Sequence, residues 1–306
     1  IRARKLSFRV SVNNPSIEHV MKTCVVILCG GIGERLWPFS TPELPKQFQC
    51  FFGDKSLLDL TLGRVEQVQP DHTILVTNER YRSYLSEHYS KQIAKGALEV
   101  LYEPCARGTS SSILYATAHL HHVLEESYKV CVLPSDHYFD EDFVPFLTSA
   151  LTLSNNDRER ITTFGIRPTH PDTGFGYIRH HEGSTSSFHE KPSSPRAKEL
   201  IEQGALWNAG IFVFYTKHLI SLYQEHLPDQ LSKMIGYLAQ RNSIDFASLD
   251  NISFDCAVME KPEWGEKQVL AYDSIWNDVG DWNRLSSLIS STPHSGLASE
   301  GNFVRS

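Results

Sequence analysis

Cys24-Val25-Val26-Ile27-Leu28-Cys29 runs straight into Gly30-Gly31-Ile32-Gly33-Glu34-Arg35-Leu36-Trp37-Pro38, and the segment closes at Pro45-Lys46-Gln47-Phe48. A short continuous apolar run entering a glycine turn is the usual opening of an α/β sheet. Glycines let main-chain N–H groups approach an anion with no Cβ in the way. Arg35 and Lys46 add cations for phosphate oxygens, which a backbone nest alone does not neutralise when the ligand is a triphosphate. Two better-known glycine loops do not fit. A dinucleotide fold needs GxGxxG leading into a helix, and here Trp37-Pro38 and Pro42 break it; an ATPase loop needs GxxxxGK followed by Ser or Thr, which is absent. A ligand-free tight turn explains the glycines but not the grouping of Arg35, Pro45, Lys46 and Gln47.

The alternation of periods continues outward from this segment. Leu57 to Val68 has helical spacing, with Leu58, Leu62, Val65 and Val68 on one face. Strands are expected at Thr73–Thr77, Leu98–Tyr102, Lys129–Leu133 and Ile161–Ile166, and helices at Glu79–Tyr89, Ser110–Leu124 and Phe143–Leu153. Unbroken apolar runs alternating with helices predict a mostly parallel sheet covered on both faces. After about residue 170 the pattern loosens. Short strands are read at Phe175–Arg179, Thr185–Glu190, around Val258-Met259 and at Gln268–Tyr272. Leu206–Tyr215 reads as a turn and then a strand, and helices are read at Lys198–Gln203, His218–His226 and Leu231–Ala239. This half reads as an elaboration on the same sheet that closes over a substrate.

The whole chain narrows the function classes. It has 306 residues, 41% hydrophobic and 21% charged, with a formal net charge of −7, which suits a globular protein and excludes a cationic nucleic-acid surface. Six cysteines are too widely spaced for a metal knuckle and read as small core residues of a reducing compartment. No stretch is apolar enough to span a bilayer and no signal peptide is recognisable, so a cytoplasmic protein without a membrane partner is expected. Residues 1–20 read as an extension without functional role, 21–285 as the catalytic domain, and 286–306 as a linker or the start of a C-terminal region.

Further motifs follow the glycine loop in chain order: Leu101-Tyr-Glu-Pro104 with Arg107, Leu133-Pro-Ser-Asp-His137, Phe175-Gly-Tyr-Ile178, Glu190-Lys-Pro192, Trp207-Asn-Ala-Gly210, Phe254-Asp-Cys-Ala-Val-Met-Glu-Lys261 and Trp276-Asn-Asp-Val-Gly280. Taken alone, Asp136 and Asp278 could each cap a turn, and Glu190-Lys191 could be an exposed ion pair at a strand end. In this order, from Met21 to about Trp282, the set resembles the mannose-1-phosphate guanylyltransferase family of sugar-phosphate nucleotidyltransferases. Gly108-Thr109-Ser110-Ser111 stands where that family usually has Asn-Thr-Ala after the arginine.

The resemblance implies a GT-A-like fold, a mostly parallel Rossmann-like sheet flanked by helices with an inserted sugar-binding portion. It implies transfer of GMP from GTP to mannose 1-phosphate, giving GDP-mannose and pyrophosphate. Gly30, Gly31, Gly33, Arg35 and Lys46 would hold the triphosphate, and Glu103, Pro104 and Arg107 would lie near the base. Asp136 and Asp278 would carry Mg2+, an oxygen-ligand ion suited to two carboxylates plus phosphate oxygens. Gly176, Glu190, Lys191 and Asn208 would line the sugar phosphate site. Arg35, Lys46, Asp136, Lys191 and Asp278 would carry the catalysis. Another sugar 1-phosphate or nucleotide (glucose 1-phosphate, UTP or ATP) and a non-catalytic nucleotide-sugar-binding subunit are the alternative readings, and self-association is left open.

Overall fold

The computed structural model describes residues 21–31, 33–152, 159–182 and 184–291. Its first strand, β1 (Lys22–Cys29), divides its side chains between two apolar layers: Cys24 and Val26 point into one, Val25 and Ile27 into the other. That period-2 split is why the run contains no polar residue in its middle. Along the chain follow α1 (Leu57–Val68), β2 (His72–Asn78), α2 (Arg82–His88), α3 (Ser90–Ala94), β3 (Glu99–Glu103), α4 (Gly108–Ala118), β4 (Tyr128–Pro134), β5 (Tyr138–Phe139), α5 (Phe143–Thr152) and β6 (Ile161–Ile166). The second half holds β7 (Tyr177–His181), β8 (Ser184–His189), α6 (Ser194–Glu202), β9 (Leu206–Tyr215), α7 (Thr216–His226), α8 (Pro228–Gln240), α9 (Ser243–Ala247), β10 (Lys267–Tyr272), β11 (Trp276–Asn277) and α10 (Trp282–Ser291).

Nine strands form one sheet in the order β3-β2-β1-β4-β9-β6-β10-β8-β7, with β7 also bonded to β9. The strands β3, β2, β1 and β4 are mutually parallel, as are β6 and β10, but β9 runs antiparallel between β4 and β6, and β8 is antiparallel to β10 and β7. The sheet is therefore mixed, and the expectation of a mostly parallel one is corrected. An apolar run covered on both faces looks the same whichever way its neighbours point, so periodicity does not report strand direction.

Helices cover both faces. One layer packs α4, α7, α8 and α9 through Ile113, Leu219, Met234 and Phe246; the other packs α1, α2, α5 and α6 through Leu58, Leu85, Leu147 and Leu200. Each fully buried side chain of this kind contributes roughly 1.5–3 kcal/mol. The start of α1 is fixed by a capping box: Ser56 Oγ accepts the Asp59 N–H at 3.0 Å while Asp59 Oδ2 accepts the Ser56 N–H at 2.9 Å. Leu62 and Val68 pack beside Leu58 and Val65, the face read from the sequence.

Several local expectations change. The helix expected over Ser110–Leu124 ends at Ala118 and continues as a π-helical turn at His119–Val123, which buries His119 with Nε2 2.8 Å from Glu99 Oε1. Val258 and Met259 lie in another π-helical turn, Asp255–Met259, rather than a strand. Leu206–Tyr215 is strand throughout. A two-stranded ladder of β5 and β11 went unread because each arm is two residues long. Helix α10 carries the fold past residue 285, packing Leu285 and Leu288 against Leu36, Phe51 and Val279. Leu153, Ile32 and the stretches 1–20 and 292–306 lie outside the described residues. Among the described residues no helix is long and apolar enough to cross a membrane.

Candidate active site

Strand register brings the motifs to one edge. The glycine turn and Asp136 follow the carboxyl ends of β1 and β4, and Glu103 ends β3, where open α/β sheets bind ligands. Because β9 is reversed, its first residues reach the same edge, pairing Asn208 with Gly165 and Trp207 with Ile166 of β6. Trp207 also pairs with Tyr177, and Tyr177 with His189, so Gly176 and Glu190 arrive beside Asn208. A cleft of about 370 Å³ opens there, lined among others by Gly30, Gly31, Glu103, Arg107, Asp136 and Asp255.

Lys46 joins the two distant aspartates. Its Nζ lies 2.9 Å from Asp136 Oδ2 and donates to the Asp278 carbonyl oxygen at 2.8 Å. The residue is 8% exposed, and Gly33 lies so close that a Cβ there would fall 2.7 Å from Lys46 Cβ; Gly33 also needs its positive φ of 72°. The next side chain, Gln47, donates to the Gly31 carbonyl at 3.2 Å and so ties the glycine turn to the Lys46 turn. Burial opposes ionisation of Asp136, but the Lys46 ammonium and the neighbouring His137 outweigh it and hold its carboxyl below the usual range. Burial pushes the His137 imidazole down, and its Nδ1 accepts the Trp276 indole N–H at 3.2 Å.

The carboxylate of Asp278 is held separately. Arg284 Nη1 donates to Asp278 Oδ2 at 2.6 Å, and its Nη2 reaches Asp172 Oδ2 at 2.5 Å. Asp281 Oδ1 accepts the Arg284 N–H at 3.0 Å and caps the start of α10. No room exists for a Cβ at Gly280, which would stand 2.5 Å from Asp278 Oδ2 and 2.7 Å from Arg284 Nη1. Between them, fully buried Val279 sits at φ 47°, a region that costs a β-branched residue on the order of 1–3 kcal/mol.

Toward β3, Glu103 is 5% exposed and accepts the Ser112 hydroxyl at 2.7 Å; burial pushes its carboxyl up to about 7 despite that bond. Arg107 Nε is buried without a partner among the described residues. Pro104 is half-buried beyond the strand end. The Gly108-Thr-Ser-Ser run serves as tethers. Thr109 Oγ1 accepts the Phe254 N–H at 2.8 Å, Ser111 reaches the Asp250 carbonyl at 3.3 Å, and Ser110 Oγ lies 2.8 Å from the Tyr223 hydroxyl. Gly108, at φ 74°, abuts the Ile252 carbonyl, which a Cβ would meet at 2.3 Å.

On the opposite side, Gly176 lets Glu190 lie against the backbone, since a Cβ would come 2.8 Å from Glu190 Oε2. Lys191, at φ 41°, places Nζ 3.2 Å from Glu190 Oε1. The Asn208 carbonyl oxygen already accepts from Thr163 at 3.0 Å and from the Gly210 N–H at 3.2 Å, while its amide donates to Asp255 Oδ1 at 2.6 Å. Asp255 is the group that lines the cleft, and burial together with the Glu190 charge pushes it up to about 7.

The fold thus brings together Lys46, Asp136 and Asp278, and separately Gly176, Glu190, Lys191 and Asn208. Of these, Asp136 lines the cleft itself, while Asp278 lines a second cavity with Trp207, Trp276 and Arg284; Arg35 stands apart, exposed on the turn Glu34–Leu36, and Glu34 beside it is exposed too. Sequence reasoning missed Asp255, Arg284 and Ser112. Asp255 lay inside a quoted motif, Phe254 to Lys261, and that was its only signal. Arg284 had none, because its partners Asp172 and Asp278 are joined only by folding.

A Klebsiella pneumoniae mannose-1-phosphate guanylyltransferase is 33% identical over 285 residues, covering 85% of this chain and 58% of the relative. The Pseudomonas fluorescens alginate biosynthesis protein AlgA is 31% identical over 300 residues, covering 91% and 60%. The chain therefore spans about three-fifths of the length of these relatives. A Thermus thermophilus structure described as mannose-1-phosphate geranyltransferase superposes with a TM-score of 0.76 at 32% identity, covering 89% of this chain and 80% of that one. A family model described as nucleotidyl transferase matches residues 24–294. With the matched stretch taking in the glycine turn, both aspartates and the whole sheet but for the first two residues of β1, this chain belongs to the nucleotidyl transferase family.

Proposed function

We propose that this chain transfers GMP from GTP to mannose 1-phosphate, releasing pyrophosphate. The observation that carries the reading is the Lys46 bridge between Asp136 and Asp278 beside the glycine turn, with carboxylates on both sides of it. The names of the relatives supply the substrates.

The roles follow from charge. Guanine presents N1–H and N2–H donors, and ionised Glu103 accepts both while Ser112 fixes its orientation. Arg107, with its orphan buried Nε–H, and the Gly30-Gly31 backbone take phosphate or ribose oxygens. On the sugar side, Glu190 and Asp255 accept from hydroxyls, with Asn208 holding Asp255 in place. Exposed Lys191 binds the attacking phosphate and Lys46 the leaving polyphosphate; Arg35 acts on the outer phosphates from the turn. The attacking phosphate oxygen is already an anion, so no general base is needed, and positioning and electrostatics supply the catalysis.

The donor set at Asp136 and Asp278 is all oxygen, with Asp136 Oδ1 3.9 Å from His137 Nε2 and Asp278 Oδ1 accepting the Gly280 N–H at 3.2 Å, and all-oxygen donors fit a hard divalent cation such as Mg2+. When bound there, the ion would offset the repulsion between two anionic substrates.

The test measures pyrophosphate release with GTP, ATP, UTP and CTP against mannose 1-phosphate and glucose 1-phosphate. GTP with mannose 1-phosphate should give the highest kcat/KM. A higher value for UTP with glucose 1-phosphate refutes the substrate assignment.

A further inference from the structure

We propose that Lys46 is an internal stand-in cation, holding Asp136 until a divalent metal arrives together with a polyphosphate, so that free metal is disfavoured. The inference rests on the reading that Asp136 and Asp278 hold metal. Lys46 already neutralises the Asp136 carboxylate, with its ammonium 2.9 Å from Oδ2, and a metal of the magnesium type on either oxygen, at about 2.0–2.1 Å, would be a second cation repelled by that ammonium.

The two aspartates differ in what their cationic partners can do next. Arg284 also contacts Asp172 at 2.5 Å and Asp281 at 3.6 Å, so Asp278 can turn away without leaving the guanidinium unpaired. Lys46 has no such reserve. Among the described residues its partners are Asp136 and one carbonyl oxygen, of Asp278. Free metal taking Asp136 would strand a buried ammonium on a single neutral acceptor, which is unfavourable. A polyphosphate in the glycine turn supplies the missing anion. Its arrival would draw the Lys46 head off Asp136, and the carboxylate so freed of its cation could hold the metal. Metal and polyphosphate therefore bind cooperatively, with Lys46 as the coupling group.

Equilibrium binding of Mn2+ to the full chain, followed by its paramagnetic resonance signal without nucleotide, tests the idea. Lys46→Met should bind Mn2+ at least tenfold more tightly than wild type. Lys46→Arg, which keeps the cation, should stay within threefold of wild type. Arg35→Met, which removes a loop cation that does not touch Asp136, should change affinity less than twofold. Wild type alone gives a second measurement should Lys46→Met not fold: its melting temperature should barely respond to Mn2+ and should rise by several degrees with Mn2+ plus pyrophosphate. Equal Mn2+ affinity in wild type and Lys46→Met, an equal gain in Arg35→Met, or a full melting shift from Mn2+ alone overturns the stand-in role and leaves the metal seat intact. No Mn2+ bound by either protein even with pyrophosphate removes the metal seat as well.

Discussion

Replacing Glu103 by glutamine isolates one buried charge and gives a signed, pH-dependent result. The carboxyl has an ordinary value of 4.5 and is pushed up to about 7 in the folded protein, chiefly by burial. Below pH 4.5 both folded and unfolded chains carry the proton. Between 4.5 and about 7 the folded chain keeps a proton that the unfolded chain has released. The unfolded state then binds fewer protons, so stability falls as pH rises through that window and levels off above it. At about 1.36 kcal/mol per pH unit, the loss reaches at most about 3 kcal/mol. Glutamine has the same shape and cannot ionise. Glu103→Gln should match wild type near pH 5 and exceed it by about 1–3 kcal/mol at pH 8. Urea denaturation of both proteins at the two pH values measures it. Asp255 is also pushed up to about 7, but it is present in both proteins and cancels in the difference. A stability difference that does not change between pH 5 and pH 8, or one that moves against the variant, refutes the burial argument. The same variant should lose its preference for GTP, since an amide cannot accept both guanine donors.

Asp278→Asn should lower turnover by on the order of 10²-fold with an unchanged melting temperature, and near-normal turnover removes Asp278 from the chemistry. Asp255→Asn should raise KM for the sugar phosphate by about tenfold or more while KM for GTP stays put, because only one substrate loses a charged hydrogen bond; steady-state kinetics with each substrate varied separates the two. Gly108→Ala should cost about 3 kcal/mol, from a left-handed backbone and a Cβ placed 2.3 Å from the Ile252 carbonyl, read as a lower urea midpoint.

Much of the architecture was legible because it rests on local periodicity. The face of α1 follows from Leu58, Leu62, Val65 and Val68, and the buried character of β1 from an unbroken apolar run. Direction was not legible: nothing in Leu206–Tyr215 reports that its neighbours run the other way. The site divides along the same line. Lys46, Asp136 and Asp278 stand in compact motifs, and they meet in the fold. Arg284 meets Asp278 within one short segment but Asp172 only across a long stretch of chain, and that second contact leaves no trace in spacing. Asn208 is expected to line the sugar phosphate site, but its side-chain oxygen is spent on Thr163 and Gly210, which only the packing of β6 against β9 reveals.

Under the proposed function, the reversed strand β9 limits how this chain could change its acceptor. Asn208 does not ride on an adaptable surface loop; it is fixed by a ladder bonded on either flank, with Gly165 on one side and the Gly176 carbonyl accepting its own N–H at 2.8 Å. A scaffold that stiff gives a new sugar little chance to be accommodated by backbone movement. Evolution or engineering toward a different sugar should therefore proceed by exchanging side chains around Glu190 and Asp255, while β9 itself keeps its course.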